Sequence, residues 1–236
     1  VANLTVNSAP SITNQPADAV ICTGSNITFS VTAGGNGLTY QWQISTDGGT
    51  TWNNISGANA NAYTLNNVTA GQNGNQFHVI VSGGCAPSPV TSAAATLTVS
   101  TAVSVLTQPA AQVVCSGSNA TFTAEGSGSG VNYQWQVSTD GGTTWSPISG
   151  ATSSTYTITG AAVSQNGYLY QAILTNASCT QPTLTNSAAL TVNSLPAVTT
   201  QPTSVTLCAG SNQTFTGAGT GTGLAYQWQV STNSGG

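Results

Sequence analysis

The chain has 236 residues, no Lys or Arg, four acidic residues and one His, so 2% of it is charged where about 25% is usual. Nothing in it can neutralise phosphates, which excludes a nucleic-acid partner, and there is no basic patch for an anionic membrane surface. Four carboxylates and one imidazole leave little material for acid–base catalysis. Apolar residues still reach 39%, and Trp and Tyr recur at regular places, which marks a folded chain whose surface is carried by Thr, Ser, Asn, Gln and Gly.

The chain opens on VANLTVNS (1–8), which reads as the last strand of something before it. No apolar run approaches the ~20 residues of a membrane span, and no charged segment precedes an apolar one as in a secretory leader. The expectation is an excerpt of a longer protein.

From residue 9 onward the chain is periodic. Trp42, Trp135 and Trp228 are spaced by 93, as are Cys22, Cys115 and Cys208. Gln15-Pro16, Gln108-Pro109 and Gln201-Pro202 keep the step, and so do Leu4, Leu97 and Leu190. Residues 40–52 (YQWQISTDGGTTW) and 133–145 (YQWQVSTDGGTTW) differ at one position. The period divides the chain into the end of one repeat (1–8), two complete repeats (9–101 and 102–194) and the first part of another (195–236).

Within a repeat every segment reads as strand. In 26–31 (NITFSV), Ile27, Phe29 and Val31 alternate with polar residues, and in 38–44 (LTYQWQI) Leu38, Tyr40, Trp42 and Ile44 do the same. The segments AYTLNNV, QFHVIV and AAATLTV continue the pattern, and AGGNG, STDGGT and GQNG supply turns. No segment has helical periodicity. About seven short antiparallel strands in 93 residues predict an all-β sandwich.

The alternation places Trp42, Trp135 and Trp228 in the core. Trp52 and Trp145 follow the Asp-Gly-Gly-Thr-Thr hairpin, where they either pack over the turn or offer an aromatic platform to a sugar ring. Asp47 and Asp140 read as turn residues. A calcium site needs six to eight oxygens, one Asp per repeat is too few, and the third copy has Asn233. His78, between Phe77 and Val79, is expected to face solvent; repeat two carries Gln171 there. Asp18 and Glu125 are unrepeated and read as solvated. No metal, cofactor or catalytic residue is expected. Seven Asn-x-Ser/Thr sequons, Asn26, Asn67 and Asn212 among them, permit glycosylation without predicting it.

A Gly-x-x-apolar-x-apolar strand about a dozen residues before a Trp, then a Tyr-x-Leu strand, then Asn-Gly and an aromatic, resembles an immunoglobulin-like domain. The resemblance makes Gly24 to Val31 strand B, Trp42 strand C, and Tyr63 and Leu65 strand E. QNGNQF (72–77) and QNGYLY (165–170) resemble the tyrosine corner before strand F. More narrowly, the string QP…C.GS…TF…YQWQ.STDGGTTW..ISGA…Y, closing on SAA.LTV, resembles the tandem immunoglobulin-like repeats of very large secreted surface adhesins of Bacteroidetes, of the gliding-motility and type IX-exported kind. The resemblance implies an extracellular, cell-surface stalk or adhesive filament without catalysis, each sandwich adding roughly 35–40 Å. Its implied partners are neighbouring repeats of the same chain, with other copies of the fibre or surface glycans as further candidates, and no membrane contact by this segment. The alternative is a carbohydrate-binding or spacer array of a secreted multidomain hydrolase.

One departure concerns the cysteines. Common immunoglobulin domains join strands B and F by a disulfide against the Trp. Here Val31 and Val79 hold those places in repeat one, and Ala172 and the neighbourhood of Ala124 in repeat two. Cys22 and Cys115 come just before strand B, while Cys85 and Cys179 follow strand F. In the implied topology those two places lie at opposite poles of one domain, whereas bridged Cα atoms lie within about 7 Å. The C-terminal pole of one domain faces the N-terminal pole of the next, which favours a staple from Cys22 to Cys179 and leaves Cys85, Cys115 and Cys208 with partners outside 1–236. The alternative pairs Cys22 with Cys85 and Cys115 with Cys179.

Overall fold

The computed structural model describes residues 2–232; Asn233 lies outside the described residues. Repeat one contributes ten short strands: β1 (Ser11–Asn14), β2 (Ala19–Cys22), β3 (Ile27–Ser30), β4 (Thr32–Gly34), β5 (Thr39–Ser45), β6 (Asn53–Asn54), β7 (Ala62–Leu65), β8 (Gln76–Ser82), β9 (Val90–Thr91) and β10 (Ala95–Ser100). β3 and β4 are one run interrupted at Val31, pairing with β7 and β1 respectively. The opposing sheet has the order β2-β10-β8-β5-β6, with β9 also on β8. This is the immunoglobulin-like sandwich, with A, B and E on one side and A′, G, F, C and C′ on the other.

Repeat two follows with β11 (Ser104–Thr107), β12 (Gln112–Cys115), β13 (Ala120–Thr123), β14 (Glu125–Ser127), β15 (Asn132–Ser138), β16 (Ser146–Pro147), β17 (Thr155–Ile158), β18 (Leu169–Thr175), β19 (Thr183–Leu184) and β20 (Ala188–Asn193). Its pairings reproduce those of repeat one strand for strand. Beyond it lies one antiparallel pair, β21 (Ala197–Thr200) with β22 (Ala218–Thr220).

Alternation places the core. β5 pairs with β8 so that Tyr40 faces Val81, Trp42 faces Val79 and Ile44 faces Phe77. Trp42, Phe77, Val79, Val81 and Leu97 are fully buried against Phe29 and Val31 of the other sheet. The Phe29 and Phe77 rings stack at 4.6 Å. In repeat two Phe122 stacks on Tyr170 at 4.7 Å, and burial pushes the Tyr170 phenol up to about 12. Val31 and Val79, and Ala124 and Ala172, fill the space of the missing B–F disulfide.

Three expectations need correction. The sandwiches are not wholly antiparallel: β2 runs parallel to β10 and β12 to β20. Pro16 and Pro109, both buried, carry no N–H and break the first strand, whose second half crosses to the opposite sheet and meets an edge running its own way. Trp228 is not core; it is 56% exposed, because the described residues hold no counterpart of β8 or β10 to cover it. The turn before strand F is held by amides, not by a Tyr hydroxyl. Gln72 Oε1 accepts from Thr69 N–H (2.8 Å), and Asn73 Oδ1 accepts from Val99 N–H (2.8 Å). Gln165 and Asn166 repeat both bonds in repeat two. Asp18 and Glu125 are exposed, as read, and each also accepts a hydrogen bond, Asp18 from Thr96 N–H at 2.7 Å and Glu125 from the Thr107 hydroxyl at 2.8 Å.

The described residues form two compact units: residues 2–104 with 126–132 and 174–183, and residues 105–125 with 133–173 and 184–232. The first therefore contains, besides the first sandwich, the linker 101–104 and two loops drawn from repeat two.

Candidate functional site: the turn aromatics and the repeat junction

The hairpin after β5 is organised by Asp47. Its Oδ1 accepts from Ser45 Oγ–H (2.7 Å), Thr50 N–H (3.0 Å) and Thr51 N–H (2.9 Å), and its Oδ2 from the Thr51 hydroxyl (2.6 Å). Asp140 accepts from Ser138 and Thr144 in the same manner. Both carboxylates are thus occupied as acceptors for the turn, the pattern of a structural Asp. These bonds, the Thr51 hydroxyl first, hold the Asp47 carboxyl down at about 2, and those of Asp140 hold it lower still. Because the folded value lies below the ordinary 3.8, this contribution to the turn is complete above that pH and is lost as pH falls through about 2. The Thr51 amide resonance is expected to titrate with a midpoint near 2; a midpoint near 4, the free carboxyl value, would show that the network does not hold in solution.

Trp52 closes over this turn. Its Nε1–H donates to Gly49 O (3.1 Å), and its ring stacks on His78 at 3.7 Å with 14° between planes. Gly49 has φ +90°, a conformation that strains any residue with a Cβ, so the turn calls for glycine. His78 does not point freely into solvent, as alternation alone predicts. It is half-buried under Trp52, its Nε2 lies 2.6 Å from Gln43 Oε1, and desolvation lowers its pKa. In repeat two Trp145 is likewise half-buried, and Gln171 Nε2–H donates to Gln136 Oε1 (3.1 Å) in place of the His contact. Among the described residues no group of three or more His, Cys, Asp or Glu could hold a metal.

The second arrangement is the junction, all of it within the first compact unit. The parallel ladder of β10 and β2 sets Ser100 opposite Cys22. Cys179, 4% exposed, bonds to Cys22 across a Cα separation of 5.2 Å, and its Sγ lies 3.7 Å from Ser100 O. The loop that carries Cys179 is shaped by Asn176, whose Oδ1 accepts from Ser178 N–H (2.7 Å) and whose amide donates to Ser129 O. The linker is held in turn: Thr101 N–H donates to Ser129 Oγ (3.1 Å), and the Thr183 hydroxyl to Val103 O (3.0 Å). Gly128, at φ +122°, lets the linker pass; a Cβ there would stand 2.8 Å from Ala102 O. The order of the chain hides this convergence, since the bonded cysteines are separated by 157 residues. Cys85 is half-buried, and Cys115 and Cys208 are exposed thiols.

Comparison with known proteins agrees with the repeat. Residues 12–101 and 105–194 each match a family described as a domain of unknown function (DUF8696). Endoglucanase C of Cellulomonas fimi is 35% identical over 181 residues, which is 75% of this chain; the chain spans only 16% of that enzyme's length. An I-band fragment of titin superposes with a TM-score of 0.63 at 15% identity, over 83% of this chain and 69% of the fragment. Immunoglobulin domains 1–4 of Sidekick-1 superpose at 0.61 with 15% identity, over 81% of this chain and 50% of that one. At such identities these two likenesses speak for the fold alone.

Proposed function

This chain belongs, twice over, to the DUF8696 domain family, and from that premise we propose that it is a structural segment of an extracellular, cell-surface protein: a semi-rigid stalk of immunoglobulin-like sandwiches, without catalysis. The observation that carries this reading is the Cys22–Cys179 bond, which ties the last residue of β2 in one repeat to the loop after β18 in the next. A covalent tie between consecutive repeats has no use in a flexible string of binding modules, whereas it stiffens a spacer. A surface without Lys or Arg fits the same role, since it offers no trypsin-type cleavage site and almost no charge for salt to screen. Small-angle scattering of the oxidised chain is expected to give a rod-like profile, unchanged between low and high salt, that broadens on reduction. A profile already broad with the disulfide intact would overturn the stalk.

A second reading has its own support. The similarity to a stretch of Endoglucanase C favours a spacer or carbohydrate-binding module within a secreted hydrolase. In that reading Trp52 and Trp145 are the sugar platforms, each half-buried at a turn, beside exposed amides such as Asn54. Retention of the chain on insoluble cellulose, lost in Trp52→Ala and Trp145→Ala, would favour the module; passage without retention favours the stalk. Hydrolysis of the polysaccharide by the purified chain, or salt-sensitive DNA binding, would overturn both readings as stated.

A further inference from the structure

The junction occurs a second time with half of its parts. Thr101 and Ser129 exchange bonds, Thr101 N–H to Ser129 Oγ (3.1 Å) and Ser129 N–H to Thr101 O (3.4 Å). One period earlier Ser8 and Asn36 do the same, Ser8 N–H to Asn36 Oδ1 (2.9 Å) and Asn36 N–H to Ser8 O (3.3 Å). The loops after β8 and β18 both dock on the residue at this place: Gly84 N–H donates to Asn36 O, as Asn176 donates to Ser129 O. The sulfurs correspond as well. The Cys85 thiol donates to Asn7 O at 3.4 Å, where Cys179 Sγ lies 3.7 Å from Ser100 O. Ser100 is the residue set opposite Cys22 by the parallel ladder, and Asn7 stands 93 residues before it. Leu4 and Val6, in the places of Leu97 and Val99, are 89% and 80% exposed, so this segment has the pattern of β10 without its neighbours.

We infer that Cys85 is the loop half of a second staple, and that its partner is a cysteine ending a β2-type strand laid parallel to residues 4–7 by another sandwich of this family. The register is that of Leu97 with Ala19 through Ser100 with Cys22, which sets Asn7 opposite the incoming cysteine. Cys115 is the strand half of the next staple: the ladder sets it opposite Asn193 as Cys22 is set opposite Ser100, and it is exposed. The bond forms by exchange. The Cys85 thiolate, its proton passed to solvent, attacks the partner sulfur of a mixed disulfide, and the other thiol leaves with the electron pair of the broken S–S bond. The outcome does not depend on whether the sandwiches bind glycans.

The test uses the intact 236-residue chain, its Cys22–Cys179 bond in place, and a peptide with the sequence of residues 17–25 whose cysteine is capped as the mixed disulfide with 2-nitro-5-thiobenzoate. Release of the coloured thiolate gives the rate, and mass mapping gives the site. Capture at Cys85 is expected to be at least about 10-fold faster with this peptide than with a scrambled one, at the modest level a four-residue ladder supports. Cys208, for which the structure shows no ladder, should show no preference. Thr5→Pro removes an N–H from the edge that receives the incoming strand, since Thr5 stands in the place of Thr98, which alternates with Val99 and shares its edge with Ser100, whose carbonyl accepts from Thr23 N–H; it should abolish the preference while Cys85 still reacts with the simple aromatic disulfide. Equal rates at Cys85 for the two peptides, or a preference that survives Thr5→Pro, would overturn the inference.

Discussion

Replacing Trp42 or Trp135 by Ala is expected to lower the stability of the sandwich that contains it by about 3–5 kcal/mol, the range for deleting a large buried aromatic. Both indoles are 0% exposed. Trp42 is set opposite Val79 and its ring centroid lies 6.4 Å from that of Tyr63; Trp135 lies 6.3 Å from Phe122 and 6.2 Å from Tyr156. Each also donates its Nε1–H to a carbonyl of the turn before strand E, Trp42 to Ala60 O (3.0 Å) and Trp135 to Ser153 O (2.9 Å). Truncation therefore opens a cavity and removes the donor to a partly buried acceptor. Trp→Phe keeps most of the packing and should cost less, with about 1 kcal/mol of it from the lost hydrogen bond. Trp228→Ala, at a 56% exposed site, is the control and should leave both sandwiches unchanged. Urea denaturation followed by circular dichroism decides: a midpoint for Trp42→Ala equal to that of the parent would mean that the strand assignment for residues 38–44 is wrong.

What was legible in the sequence follows from how local each signal is. The alternation Tyr40-Trp42-Ile44 and Phe29-Val31 depends only on strand geometry, and it places the inward faces without a partner being known. The 93-residue period multiplies that signal, so the tandem sandwich fold could be read before any coordinate. The parallel edge of β2 was less accessible, because its cause is a crossing at Pro16, and a proline announces a break without saying where the chain goes next. Trp228 shares every local feature of Trp42, yet burial is a property of the strands that cover it. The pairing of His78 with Trp52 joins residues 26 apart through a turn, and alternation assigns His78 a face without saying what else reaches that face. The amide corner was visible as Gln72-Asn73 and Gln165-Asn166 but matched to a motif built on a hydroxyl. At the junction, the positions of the cysteines were plain. The loop geometry from Asn176 and the passage at Gly128 were not, since both depend on a neighbouring repeat.

Removing the staple is the second large effect. In Cys22→Ser/Cys179→Ser the chain is expected to lose about 2–5 kcal/mol against global unfolding, the upper figure following from the long closed loop. The loss should be largest where unfolding of one repeat would otherwise be restrained through the other. Local stability at the junction should fall too: the amides of Thr101 and Cys179 take part in bonds to Ser129 and Asn176 that depend on the loop staying docked, so their hydrogen exchange should accelerate while that of β5 and β8 changes little. Gly128→Ala should loosen the same region with the disulfide intact, since its φ of +122° and the 2.8 Å approach to Ala102 O leave no room for a methyl group. Pulling on the two ends distinguishes a covalent staple from mere docking. With the bond intact, the stretch between Cys22 and Cys179, a sequence separation of 157, is shielded from force, and unfolding releases only the chain outside it. Reduction should add about 500 Å of contour length, at roughly 3.3 Å or more per residue. A contour length that does not change on reduction would show that the two cysteines are not bonded in solution, and with it the stalk would lose the tie on which its stiffness rests.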